Sequence, residues 1–190
     1  MFLVRISGFL DPEACLAVRA AMDVGAVEGA EVLRQGIRRQ SLVRNAALVE
    51  PSGRLIEAIE ARLDSCRNRV ADALGLDVGD REGAGFVRYP EGGFYRAHRD
   101  QGDDPQWADA ARRAIALVLF VNSSRDASPD GDFEGGVLRL FGPDGAIDVI
   151  PEAGTLVAFP ADVLHEVTEV RGGTRDTVVD WFYDVAPTSA

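Results

Sequence analysis

Histidine occurs at only two positions of this chain, His98 and His165, and the first stands in His98-Arg99-Asp100. Residues i and i+2 of a β-strand project from one face, so His98 and Asp100 can grip one ion from one side. His165, in His165-Glu166-Val167, supplies a second imidazole from a distant strand. Two imidazoles and one carboxylate leave coordination positions open and suit non-haem Fe(II) used with oxygen. A His-x-Asp pair alone often arises by chance. Here it follows a turn containing Gly92-Gly93, lies in alternating strand-like sequence, and is joined downstream by His165 and an arginine, also in strand-like sequence. Together these features point to a metal site.

The elements that must position these residues follow from period and punctuation. Asp11-Pro12 reads as a helix start, leading into Cys15 to Met22. Residues 28 to 50 are mixed, and Gly36 to Val43 could form a strand or a flap. A longer helix is predicted from a Ser52 cap, with Leu55, Ile59, Leu63, Cys66, Val70 and Leu74 as its buried stripe and Gly75 as its stop. From about residue 83 the period changes to two. Candidate strands are Gly85 to Tyr89, Tyr95 to Asp100, Ala114 to Val121 and Val137 to Leu140. They continue as Ala146 to Val149, Thr155 to Phe159, His165 to Val170 and Asp176 to Tyr183. Turns rich in Gly, Pro and Asp separate them. Eight short strands so spaced predict a mainly β fold, a double-stranded β-helix or jelly roll, with helices of the N-terminal third bracing one sheet.

At 190 residues the chain fits a single domain able to bury a sizeable core, with a helical portion over about 1–80 and a β core over about 83–185. Its formal net charge is −11, which argues against nucleic acid as the main partner because phosphate backbones repel such a surface. Arg34, Arg38, Arg39 and Arg44 cluster and are the one exception that could form a basic groove. There is no lysine among the 20 basic residues, so Schiff-base chemistry through lysine is excluded and any carboxylate anchor must be arginine. Cys15 and Cys66 lack metal-binding spacing and read as buried packing residues. No leader or membrane-length apolar run is evident, so a cytoplasmic protein without a membrane partner is the expectation. Residues 187 to 190 read as a tail.

The order of features resembles the prolyl 4-hydroxylase-like branch of the Fe(II)/2-oxoglutarate-dependent dioxygenases. The resemblance runs from about Leu55 to Tyr183. It is carried by Ala73-Leu74-Gly75-Leu76, Val87-Arg88-Tyr89, Gly92-Gly93 with Tyr95, and His98-Arg99-Asp100. It continues with Phe120-Val121-Asn122, Gly135-Gly136, Pro151 with Gly154, Phe159, His165, Gly173 with Arg175, and Trp181. No single mark is decisive; their order is specific. The resemblance implies Fe(II) ligated by His98, Asp100 and His165, with 2-oxoglutarate and O2 as cosubstrates and ascorbate as an auxiliary reductant. It implies that Arg175, ten residues past the second histidine, pairs with the distal carboxylate of 2-oxoglutarate. Tyr89 and Thr177 join it as cosubstrate contacts. The physical sense stands without the family, because a buried dicarboxylate needs a fixed cation and the guanidinium fork matches a carboxylate. Arg171, before the glycine turn, is the competing choice. Phe120 departs from the pattern, since several relatives have a tyrosine there that helps hold the same carboxylate.

The activity so implied is hydroxylation of an aliphatic C–H in a peptidyl or free amino acid, or a small metabolite, coupled to oxidative decarboxylation of 2-oxoglutarate. Three other classes compete. A non-catalytic cupin-like metal-binding or regulatory jelly roll would leave Arg175 without a task. A zinc hydrolase would need a general base, and Glu166 should point to the opposite face of its strand. Repair of alkylated nucleic acid is disfavoured by the charge. Two acidic loops, with Asp103, Asp104 and Asp109 in one and Asp126, Asp130, Asp132 and Glu134 in the other, predict a neutral-to-cationic substrate if they rim the site. Oligomeric state is left open.

Overall fold

Asp11 opens the first helix by accepting a hydrogen bond from the Ala14 backbone N–H at 2.8 Å, with Pro12 at the first helical position. The computed structural model in which this is seen describes residues 2–28, 43–51, 53–102 and 105–185. The predicted Ser52 cap, residues 36–42 of the expected flap, the arginines 34, 38 and 39, Asp103 and Asp104, and the tail lie outside the described residues.

The first half runs β1 (Val4–Ile6), α1 (Pro12–Val24), β2 (Ala26–Glu28), β3 (Arg44–Asn45) and β4 (Ala47–Glu50). Helices α2 (Arg54–Asp64) and α3 (Arg67–Leu74) follow, then β5 (Val78–Arg81), β6 (Gly85–Tyr89) and β7 (Phe94–His98). A 3-10 helix (Pro105–Arg112) leads into β8 (Arg113–Phe120), β9 (Phe133–Gly135) and β10 (Leu138–Gly142). The last strands are β11 (Gly145–Val149), β12 (Leu156–Pro160), β13 (His165–Val167), β14 (Val170–Gly173) and β15 (Arg175–Asp184).

The single helix expected over residues 52–74 is two. Ser65 Oγ donates to the Arg62 carbonyl at 2.6 Å and Cys66 N–H bonds only three residues back, to Leu63 O at 3.2 Å, so the α pattern breaks between them. Its stop is as expected: Gly75 has φ +68°, and Leu76 N–H reaches the Ala71 carbonyl at 3.1 Å.

Two antiparallel sheets face each other. The larger runs β1-β12-β8-β15-β6-β4-β2, with β5 paired to the end of β15; the smaller runs β11-β10-β13-β7-β3; a β14-β9 ribbon lies beside them. Strand β8 explains why its sequence reads as an unbroken apolar run. Ile115, Leu117 and Leu119 pack toward Val18, Met22, Ile59, Leu63 and Val70, whereas Ala116, Val118 and Phe120 pack toward Leu138, Leu140 and Phe159. Both faces are buried, so alternation is lost. Truncating Leu63 or Leu119 to Ala would cost about 2–5 kcal/mol. This is a double-stranded β-helix with its helices on the outer face of the larger sheet.

The single strand expected over His165 to Val170 splits. Residues of β13 pair with β10 and β7, then Thr168 bonds Val137 through both backbone and hydroxyl at 2.9 Å, and β14 pairs instead with β9. Strand β9 itself carries no pattern that predicted it.

Candidate metal centre

Strands β7 and β13, distant in sequence, are neighbours in the smaller sheet, and their register sets His165 opposite His98. Asp100 is not on the same strand face as His98, as i, i+2 alternation predicted, because β7 ends at His98. The chain bends there, and Asp100 and Gln101 both donate their N–H groups to the Ala161 carbonyl at 3.0 Å. That bend still aims the carboxylate between the rings. Asp100 Oδ1 lies 3.4 Å from His98 Nε2, and Oδ2 lies 3.5 Å from His165 Nε2.

The imidazoles are oriented by their own backbone. His98 Nδ1 bonds the Arg96 carbonyl at 2.8 Å, and His165 Nδ1 bonds the Val163 carbonyl at 2.9 Å. A carbonyl only accepts, so each Nδ1 carries the hydrogen and each Nε2 presents a lone pair to the shared centre. Tyr95 stacks on His98 with ring centroids 3.4 Å apart, and Phe159 meets His165 edge-on. Burial lowers the His165 pKa and favours its neutral form. Burial opposes ionisation of Asp100 too, but the two histidines outweigh it and hold the carboxyl below its usual range. A neutral His165 and an ionised Asp100 are donor states that suit a divalent cation. The three ligand atoms lie within 4.8 Å of one another, close enough to hold one metal ion.

Strand β15 builds the other end of the site. Arg175, Thr177, Val179 and Trp181 line one cavity of about 470 Å³ together with His98, Asp100, His165, Tyr89 and Tyr95. Arg175 is 1% exposed, and its Nε and Nη2 have no hydrogen-bond partner among the described residues. Its Nη1 reaches only Thr177 Oγ1, at 3.5 Å, and its guanidinium lies 4.8 Å from the Tyr89 ring and 5.5 Å from Phe120. Burial pushes its pKa down. Gly136 makes room for it: a β-carbon there would stand 2.8 Å from Arg175 Cδ. Arg171, the competing anchor, is a half-exposed surface residue 3.7 Å from Asp126. Glu166 points away from the cavity, as alternation predicted, and approaches Arg139 at 3.4 Å.

Residues the sequence did not single out complete the walls. Arg113 lies 3.7 Å over the Trp181 ring, is clasped by both oxygens of Glu82, and donates to the Asp100 carbonyl at 3.3 Å. Only spatial pairing reveals them. Arg44, grouped by sequence with a basic cluster, instead caps Tyr95, its β3–β7 partner, at 4.8 Å. The expected acidic rim is not seen among the described residues, and Asp103 and Asp104 lie outside them. Asp126, Asp132 and Glu134 turn to Arg171, Arg19 and Arg125, and none of the described loop acids lines the cavity.

Comparison with known proteins accords with this geometry. Residues 84–183 match the model of the 2OG-Fe(II) oxygenase superfamily, and the chain belongs to that family. A PKHD-type hydroxylase of Acidovorax ebreus (strain TPSY) is 29% identical over 94% of this chain and 77% of its own length. Other PKHD-type hydroxylases align over half of this chain and about two fifths of their own. A Pseudomonas putida prolyl-4-hydroxylase structure is 28% identical, with a TM-score of 0.73 over 97% of this chain and 93% of that one. The fold also matches a Trichoplax adhaerens prolyl hydroxylase, solved with a peptide fragment of hypoxia inducible factor, at 20% identity and a TM-score of 0.70 over 96% of this chain and 83% of that one. Within the superfamily the chain stands in the prolyl hydroxylase-like branch, as an Fe(II)- and 2-oxoglutarate-dependent hydroxylase.

Proposed function

We propose that His98, Asp100 and His165 hold the Fe(II), and that Arg175, with Thr177 and Tyr89, receives the distal carboxylate of 2-oxoglutarate in the same cavity. The observation that carries this reading is the buried Arg175 guanidinium, left with Nε and Nη2 unpartnered at the cavity wall. A fully buried cation without a counter-charge is unfavourable, and a dicarboxylate supplies what it lacks. The donor set fits as well, since two nitrogens and one carboxylate leave positions open.

When bound, Fe(II) couples oxidative decarboxylation of 2-oxoglutarate by O2 to hydroxylation of an aliphatic C–H bond. The chain supplies the surroundings. His98 and His165 keep their protons on Nδ1 and so stay ligating at Nε2. Arg175 fixes one end of the cosubstrate through its planar fork. Thr177 Oγ1, whose nearest partners are the Arg175 Nη1 and the Val87 carbonyl at 3.4 Å, is free to turn to the same carboxylate. With Tyr89 it takes the place of the tyrosine that Phe120 lacks. Val87, Leu138, Val167 and Val179 keep water from the reacting centre.

The substrate in this reading is a peptidyl or free amino acid of the prolyl type, or a small metabolite. The peptide seated on the structurally similar Trichoplax enzyme supports the peptidyl form. The net charge supports neither nucleic acid nor an anionic membrane surface as partner. Residues 1–190 act as one oxygenase domain, with α1, α2 and α3 bracing the larger sheet. A non-catalytic metal-binding jelly roll is the second reading, disfavoured because it leaves Arg175 unpaired. Adding 2-oxoglutarate to the anaerobic Fe(II) protein should give a visible absorption band, and admitting air should yield succinate. Metal binding without either response would overturn the oxygenase reading.

A further inference from the structure

Among the described residues the charges lining the cavity do not cancel, and the imbalance bears on the substrate. Among the described residues, the charged lining consists of Arg44, Glu82, Arg99, Asp100, Arg113 and Arg175. Glu82 neutralises Arg113 through two hydrogen bonds. On the reading above, Fe(II) with Asp100 and 2-oxoglutarate with Arg175 sum to zero charge. Arg44 and Arg99 remain. Neither has a carboxylate partner among the described residues, and Arg44 Nε is buried without a hydrogen bond while its guanidinium is held over Tyr95. Tyr95 in turn lies flat on His98, so this cation is tied through one ring to the metal centre. Arg99 is exposed and is the residue between the two predicted ligands of the triplet, at the rim.

We infer that Arg44 and Arg99 recognise a carboxylate on the substrate, close to the C–H bond that is hydroxylated. This rests on the oxygenase reading and sets the substrate charge opposite to that predicted from the acidic loops, whose described acids do not line the cavity. The carboxylate can come from an acidic side chain of a peptide or from a free α-carboxyl group. A hydrogen bond to a charged group contributes enough to separate each from its neutral isostere by roughly tenfold or more.

The test is anaerobic calorimetry on the full chain loaded with Mn(II) and 2-oxoglutarate. One pair of probes is Ac-Ala-Pro-Asp-NH2 against Ac-Ala-Pro-Asn-NH2; the other is Ac-Ala-Pro-OH against Ac-Ala-Pro-NH2. The proposal expects the charged member of one pair or both to bind roughly tenfold tighter at low salt, the pair affected naming the source of the carboxylate. The preference should shrink in 0.5 M NaCl on the unaltered chain, so misfolding of a variant cannot mask the outcome. Arg44→Gln should abolish it and Arg44→Lys should retain part, while Arg171→Gln, outside the cavity, should keep it. Equal binding within both pairs, no binding of any probe, or a preference that survives Arg44→Gln with Arg99→Gln would overturn the assignment. Failure of the oxygenase reading has a separate signature: no heat from 2-oxoglutarate itself and no succinate in air.

Discussion

Arg175 and Asp176 are adjacent, equally buried and opposite in charge, and their surroundings differ in the one respect that separates scaffold from site. Asp176 faces the helices. Its oxygens accept from Arg88 Nε and Nη2 at 2.7 and 2.8 Å, and its backbone N–H bonds Asn122 Oδ1. Asp180, further along the same face, accepts from Arg81, Gly83 and Trp181. Arg175 faces the other sheet, and among the described residues only Thr177 Oγ1 partners it, at 3.5 Å. A strand sends successive side chains to opposite faces, so one ladder carries both a satisfied ion-pair network and an unsatisfied cation. Buried charges that the fold itself pairs are architecture. On the proposed function, the one that the described residues leave unpaired receives the cosubstrate.

The largest effects should fall on the ligand-facing side. His98→Ala with His165→Ala should abolish stoichiometric Fe(II) or Co(II) binding, because the described residues offer no other such ligand cluster; stoichiometric metal retained by the double variant, measured by elemental analysis, ends the metal assignment. Next in size is the cosubstrate. Arg175→Ala should weaken 2-oxoglutarate binding by about 3–5 kcal/mol, since a buried carboxylate would be left unpaired. The companion test is Arg175→Met, which should leave the ligand-free protein as stable or raise its Tm, because a desolvated cation is replaced by apolar volume. A marked fall in Tm for Arg175→Met would show that Arg175 is structural after all, and the contrast with Asp176 would collapse.

Asp176 should answer the other way. Asp176→Asn keeps the shape and removes the charge opposite Arg88, at a cost of about 2–3 kcal/mol of stability. For a chain of this size that is a Tm drop of roughly 5–10 °C. Its 2-oxoglutarate affinity, compared by calorimetry, should change by less than about twofold, because the side chain never reaches the cavity. A large loss of affinity without loss of Tm would reverse the roles assigned to the two faces.

The metal cluster was legible because histidine is scarce and its spacing is local: His98 and Asp100 lie two residues apart, and His165 is the one other imidazole. Arg175 was singled out through the family resemblance and preferred over Arg171, which precedes the glycine turn; its burial in the cavity wall was not legible. What lay hidden depends on strands that meet only in space. Gly136 clears the stem of Arg175, Glu82 clasps Arg113, and Arg44 reaches the metal centre through Tyr95, and no spacing along the chain announces any of these. The break at Ser65 was masked because Leu63 and Cys66 keep the helical stripe in phase across it. The split after Val167 was masked because both halves alternate, and only their change of partner separates them. The bend carrying Asp100 is invisible for a related reason: a triplet on a strand and one just past its end have the same spelling.

The smallest effect sharpens the contrast most. Arg171 and Arg175 flank the same glycine turn, and sequence alone must choose between them. Arg171 is 60% exposed at its side chain, and its ion pair with Asp126, at 3.7 Å, is solvated. Exposed pairs of this kind are worth about 0–1 kcal/mol, because water screens them and ordering two long side chains offsets the attraction. Arg171→Ala should therefore shift Tm by no more than a few degrees and leave 2-oxoglutarate affinity unchanged, while a rise in salt should erase even that shift. Side-by-side titration of the two alanine variants decides between the two arginines. Should Arg171→Ala lose the cosubstrate and Arg175→Ala keep it, burial without a partner would no longer identify the anchor.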